Sequence, residues 1–151
     1  MGRLVMKFGG TSVADIGRIR NVARHVLREV KAGNHVAVIV SAMAGTTDQL
    51  VAWCKEAAAV HDAREYDAIV ASGEQVTAGL LAIILQDMGV PARSWHGWQI
   101  PLKTDGVHAS ARIAEIDAAE IRKRMEQGQV AVVAGFQGIG PDKRITTLGR
   151  G

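Results

Sequence analysis

The chain has 151 residues, 48% hydrophobic and 22% charged, enough for one domain with a real core. Its net charge of +3 is too small to point to a polyanionic partner, and its single cysteine excludes an internal disulfide. Aromatics make up only 4%, so the core has to come from Val, Ile, Leu, Ala and Met.

Leu4 to Phe8 is a short apolar run ending at Gly9-Gly10, the pattern of a buried strand and a tight turn. From Asp15 the spacing becomes helical: Ile16, Ile19, Val22, Ala23, Val26, Leu27 and Val30 fall on one face, and Gly33-Asn34 ends it. Arg20, Arg24 and Arg28, followed by Lys31, share another face of that helix and read as a solvated surface, with no interleaved aromatic to stack a base. Val36 to Val40 is a second strand, apolar on both faces, so the first unit is strand–helix–strand with parallel strands.

Ser41 to Thr47 is a loop, and a helix is predicted from about Asp48 to Val60 with Thr47 or Asp48 as its cap. Cys54 in that helix reads as a buried, inert thiol. Ser72 to Met88 is a further helix, Pro91 to Trp95 a strand, and Gly97 to Ala109 a set of short strands joined by turns. Asp117 to Gln127 is a helix capped by Asp117, Val130 to Ala134 is a buried strand, and Gly135 to Gly140 is glycine-rich. The apolar runs Val36 to Val40 and Leu80 to Leu85 are too short to cross a bilayer, and no signal peptide precedes them, so a cytoplasmic protein without a membrane partner is expected.

Alternating strands and helices give an α/β fold, a mainly parallel sheet sandwiched between helices. Ligands in such sheets bind at the carboxyl ends of the strands, where the loops Gly9 to Val13, Ser41 to Thr47 and Gly135 to Arg144 would meet. In the first loop Lys7 supplies a positive charge, and Gly9 and Gly10 let backbone amides approach phosphate oxygens. Neither a P-loop nor a dinucleotide glycine pattern is present. Each motif alone has a bland reading: a tight turn beside a snorkelling lysine, hydroxyls capping a helix, and Glu74 favoured near a helix start by the macrodipole.

Together the motifs resemble one family. Lys7-Phe8-Gly9-Gly10-Thr11-Ser12-Val13, Val40-Ser41-Ala42-Met43-Ala44-Gly45-Thr46-Thr47, Ser72-Gly73-Glu74, Gly135-Phe136-Gln137-Gly138 and Thr146-Thr147-Leu148-Gly149-Arg150-Gly151 are similar to aspartate kinase motifs in their order along the chain. The resemblance implies the amino acid kinase fold, with residues 1–151 as its amino-terminal, amino-acid-binding part and without the ATP lobe and regulatory domains. It implies transfer of the γ-phosphoryl group of ATP, with Mg2+ carried on the nucleotide, to L-aspartate, giving 4-phospho-L-aspartate for lysine, threonine and methionine synthesis. A carboxylate is already ionised at neutral pH, so its attack needs no general base, and the five histidines show no metal-ligand spacing.

By the same resemblance Lys7 stabilises the transferring phosphoryl group, while Gly9 and Gly10 cradle phosphate. Glu74 pairs with the α-ammonium of the substrate, Arg150 grips its α-carboxylate, and Ser41, Thr47, Phe136 and Thr147 line the pocket. No metal ligand and no nucleic-acid partner are expected. The chain stops where the family continues into Gly-Ser-Asp, so it is expected to be inactive alone and, with faces left uncovered, to self-associate as a homo-oligomer. A kinase of the same fold acting on glutamate or an N-acetylated amino acid, and a non-catalytic binding module on this scaffold, are the competing readings.

Overall fold

The computed structural model describes residues 2–149. In chain order its elements are β1 (Arg3–Phe8), a 3-10 turn (Gly10–Val13), α1 (Ile16–Lys31), β2 (His35–Val40), α2 (Thr46–Ala57), α3 (Ala63–Val70), α4 (Ser72–Asp87), β3 (Ala92–Trp95), β4 (Leu102–Thr104), β5 (Ile113–Ile116), α5 (Ala119–Glu126), β6 (Val130–Ala134), β7 (Gln137–Ile139) and β8 (Ile145–Thr147). One sheet is parallel throughout, in the order β1-β2-β6-β3. The second is mixed, in the order β5-β4-β7-β8, with only β4 and β7 parallel.

The alternation of side chains along β2 and β6 explains the layers. Val36, Val38 and Val40, with Val130, Val132 and Ala134, face α1 and α4, where Ile19, Val22, Val26, Leu81 and Leu85 close the main core. Ala37 and Ala131 face the other way, against Ile121 and Met125 of α5 and the buried Trp95. Both faces of the central strands are therefore dry, as their unbroken apolar sequence requires. Small residues on the α5 side let that short helix sit close. Trp95, on edge strand β3, is covered by the Arg93 guanidinium 3.7 Å above its ring, whereas Trp98 beyond it is exposed.

Several boundaries differ from the sequence reading. Helix α2 starts at Thr46 behind Gly45 (φ 81), ahead of the expected Thr47 or Asp48 cap, and ends at Ala57. Asp117 is not the cap of α5; that position is Ala118, and the Asp117 carboxylate accepts from the Ala119 amide at 3.3 Å. The glycine-rich stretch after β6 contains β7 rather than only loop, because Gly138 permits a closeness that a side chain would block. A Cβ there would lie 2.6 Å from the Leu102 carbonyl oxygen on β4. Helix α3, with buried Asp67 and Val70, has no counterpart in the sequence reading, nor has β5.

Helices α3 and α4 run on as one 25-residue helix, Ala63–Asp87. By length and composition that helix would be enough to cross a membrane, contrary to the apolar runs judged too short. Half of its most apolar window is buried inside the protein, and it carries the buried carboxylates Asp67 and Glu74. It is the core helix of this domain, packed on the parallel sheet through Ala78, Leu81 and Leu85.

Candidate functional site

The parallel register fixes the height at which the loops leave the sheet. Phe8 pairs with Val40, and Val40 with Ala134, so β1, β2 and β6 end side by side. The Ser41 amide donates to the Phe8 carbonyl at 3.1 Å, and the Gly135 amide to the Val40 carbonyl at 3.0 Å. The three predicted loops therefore converge. Ala42, at the centre, is buried and touches two glycines: a Cβ on Gly10 would lie 3.3 Å from its carbonyl oxygen, and one on Gly73 would lie 2.8 Å from its Cβ. The amino end of α4 is thereby seated directly on the β2–α2 loop.

That seating buries Glu74, in the first turn of α4, to 3% exposure. Its Oε2 has no hydrogen-bond partner among the described residues. Desolvation drives the carboxyl up from its ordinary 4.5 to about 7, against the opposing pull of the Glu74 and Ala42 backbone amides. A buried carboxylate with one oxygen unpaired is costly, and a cationic hydrogen-bond donor is the ligand that would relieve it.

The other predicted residues surround this point at varying depth. Lys7 is exposed near the end of β1, on the opposite face of the strand from Met6 and Phe8, and forms no ion pair among the described residues. Gly9 and Gly10 enter the 3-10 turn, where the Ser12 amide donates to the Gly9 carbonyl at 3.0 Å. A side chain at Gly9 would meet nothing within 4 Å, so the strip of backbone beside Lys7 is open to a ligand. Ser41 and Thr47 are half-buried, at the two ends of the β2–α2 connection.

Phe136 sits at φ 70, a left-handed conformation unfavourable for a residue with a side chain, and its carbonyl accepts from the Leu148 amide at 2.9 Å. Thr147 is fully buried, and its hydroxyl donates to Asp67 Oδ1 at 2.6 Å, so this side chain is turned into the protein. Arg150 lies outside the described residues.

Two buried polar residues that the sequence reading passed over hold these parts together. The Gln137 carboxamide donates to the Ala71 carbonyl at 2.8 Å and accepts from the Gly97 amide at 3.3 Å, joining the α3–α4 junction to β7 and to the loop after β3. Asp67 accepts from Thr147, from the Ala109 amide and from His108. A signal for Asp67 was present: Asp67, Val70, Ala71 and Glu74 recur at helical spacing, an inward stripe in which the charges stand out. Among the described residues no group of three or more His, Cys, Asp or Glu side chains is gathered as metal ligands. An open groove of about 790 Å³ lies beside the last described residues, lined by Asp105, Arg112, Ile113, Leu148 and Gly149 among others.

A parallel sheet whose loops gather glycines, a lysine and a buried carboxylate at one end has the α/β arrangement in which ligands bind at the carboxyl ends of the strands. The profile of the amino acid kinase family matches residues 2–151, and the chain belongs to that family. It is 50% identical over its whole length to an aspartokinase of Bacillus sp. (strain MGA3), of which it covers 37%. Among solved structures it is similar to aspartate kinase from Synechocystis (40% identity, TM-score 0.80, 97% of this chain and 24% of that one). It also matches E. coli aspartokinase III in complex with aspartate and ADP (26% identity, TM-score 0.85, 97% of this chain and 43% of that one). The chain thus spans little more than a third of the curated relatives it matches.

Proposed function

We propose that residues 1–151 form the amino-acid-binding part of an aspartate kinase, which phosphorylates the side-chain carboxylate of L-aspartate at the expense of ATP. The observation that carries this reading is the buried oxygen of Glu74, unpartnered among the described residues, where the α4 start meets the β2–α2 loop. A free α-ammonium group supplies the missing charge and hydrogen bond. Arg150 supplies the complementary fork for the α-carboxylate, and Ser41, Thr47, Phe136 and Thr147 shape the space between, Thr147 with its hydroxyl held on Asp67.

The substrate carboxylate needs no base, so the protein's task is placement and charge compensation. Lys7, without an ion pair among the described residues, offsets charge on the group in transfer, and the backbone of Gly9, open on its side-chain side, with the neighbouring Gly10 is suited to phosphate oxygens. Mg2+ would arrive on the nucleotide, whose phosphates Lys7, Gly9 and Gly10 would meet. The cytoplasm is the fitting compartment, with neither membrane nor nucleic acid as partner: the Ala63–Asp87 helix is packed on the sheet, and Arg20, Arg24 and Arg28 form a solvated face.

The test is a chimera in which this chain replaces the matching part of the Bacillus sp. aspartokinase. The chimera is expected to form an acyl phosphate, trapped as a hydroxamate, with L-aspartate and ATP but with neither alone. A folded chimera active only on N-acetylglutamate or glutamate would transfer the reading to those substrates.

Self-association is part of the same reading. Val76 and Ile83 project from α4 as 55% and 62% exposed apolar side chains two turns apart, with half-buried Leu80 between them. Sedimentation of the wild-type chain is expected to show a dimer or larger species, which Ile83→Glu converts to monomer without lowering the melting temperature.

A further inference from the structure

We propose that Asp67 is a positioning residue for amino-acid recognition: it fixes the Thr147–Gly149 strap at a set distance from Glu74. The inference rests on the aspartate-binding reading above and deepens it. Asp67 is wholly buried with both oxygens committed to protein donors, unlike Glu74, and the phosphoryl-transfer chemistry has no use for it. Yet its carboxylate gathers donors from two other segments. Thr147 Oγ1 lies 2.6 Å from Oδ1, His108 Nδ1 lies 2.7 Å from Oδ2, and the Ala109 amide lies 3.1 and 3.2 Å from the two oxygens. Ala109 adopts φ 67 to aim that amide, a conformation unfavourable for alanine that the carboxylate compensates.

The placement gives the cluster its meaning. Asp67 and Glu74 are seven residues apart on the continuous helix Ala63–Asp87, hence on the same face and roughly 10 Å apart along it. Glu74 presents its free oxygen at one end of this span, and Asp67 grips β8 at the other. Beyond Thr147 the strap is held by the Leu148 amide on the Phe136 carbonyl and, weakly, by the Gly149 amide on the Ala111 carbonyl at 3.4 Å. The helix that carries Glu74 therefore anchors, through one buried carboxylate, the Thr147–Gly149 strap, whose Leu148 and Gly149 line the open groove. A ligand that reaches both Glu74 and that groove requires the span between them to be fixed.

The experiment is calorimetric titration of the 151-residue chain with L-aspartate, using Asp67→Asn, Thr147→Val, their double variant, Thr147→Ser and His108→Ala, with core variant Leu81→Ala as a stability control. Asp67→Asn and Thr147→Val are each expected to raise Kd about tenfold, and the double variant no further than the worse single one, because the two act as a unit. Thr147→Ser, which keeps the hydroxyl, is expected to stay within about threefold of wild type. Leu81→Ala is expected to lower the melting temperature with Kd unchanged.

Should Asp67→Asn fail to fold, His108→Ala and Thr147→Val decide by the same criterion, since His108 bonds Asp67 and is none of the residues assigned to the substrate. Wild-type Kd in the folded variants overturns the inference alone. Absence of aspartate binding in the wild-type chain overturns the functional reading and this inference together.

Discussion

Glu74→Gln is expected to weaken L-aspartate binding by about 100-fold or more while stabilising the ligand-free chain at pH 8. Both effects come from one buried carboxylate. Removing one member of a buried charge pair leaves the ammonium group desolvated without compensation, a cost of about 3–5 kcal/mol. In the absence of ligand the same carboxylate is a liability, because burial raises its pKa from 4.5 to about 7. Below pH 4.5 the group is protonated in both folded and unfolded chains, and its environment costs nothing. Between pH 4.5 and 7 the folded chain holds a proton that the unfolded chain releases, so stability falls as pH rises. Above 7 the loss is complete, on the order of 3 kcal/mol.

Glutamine does not ionise, so urea unfolding is expected to show the variant more stable than wild type at pH 8 and the difference closing toward pH 4. Ligand binding follows the opposite course. The ammonium competes with a proton for Glu74, so wild-type affinity for aspartate is expected to fall about tenfold per unit below pH 7. Full affinity in Glu74→Gln would favour a substrate without an ammonium group, such as an N-acetylated amino acid.

Gly73→Ala is expected to cost about 2 kcal/mol of stability and about tenfold in aspartate affinity, and Ala42→Gly in the same chain is expected to recover most of both. The added methyl would stand 2.8 Å from Ala42 Cβ, and a Cβ on that short side chain cannot swing away. Either α4 or the β2–α2 loop has to retreat, which separates Glu74 from the amide of Ala42 that steadies it. Removing the opposing methyl restores the space, so recovery in the double variant identifies the cause as steric; helix propensity would act the other way, since Ala is the better helix former. A deficit left intact by Ala42→Gly would show that Gly73 matters for another reason.

The parallel sheet and its helices were legible because the signals are local. Val36 to Val40 and Val130 to Ala134 are apolar without a break, and a strand buried on both faces has no other composition available to it. The convergence of the loops was legible for the same reason, since parallel strands must end together. The second sheet was not. Only β4 was anticipated, among the short strands expected between Gly97 and Ala109. Strands β7 and β8 have three residues each, too few for a period to show, and β4 meets β7 through a contact that only the absence of a side chain at Gly138 permits. Helix α3 was hidden because only Asp67 and Val70 are buried in it, a stripe too sparse to read without α4 behind it.

At the site, residue types announced Lys7, Gly9 and Gly10 as candidates, and the family resemblance added Glu74. What they could not announce is depth. Glu74 is buried with an oxygen free, and Thr147 is buried with its hydroxyl committed to Asp67, although both were read as pocket residues. Burial is set by the partners each side chain finds across the fold, and Asp67 lies 80 positions from Thr147.

The central claim is that a buried carboxylate selects a free amino acid, and calorimetric titration of the wild-type chain with L-aspartate and with succinate at pH 8 tests it most directly. Succinate keeps both carboxylates and lacks only the ammonium group. The account predicts binding of aspartate and at least about 100-fold weaker binding of succinate, because only aspartate satisfies Glu74. Equal or tighter binding of succinate, or no binding of aspartate by a chain that melts cooperatively, would contradict it.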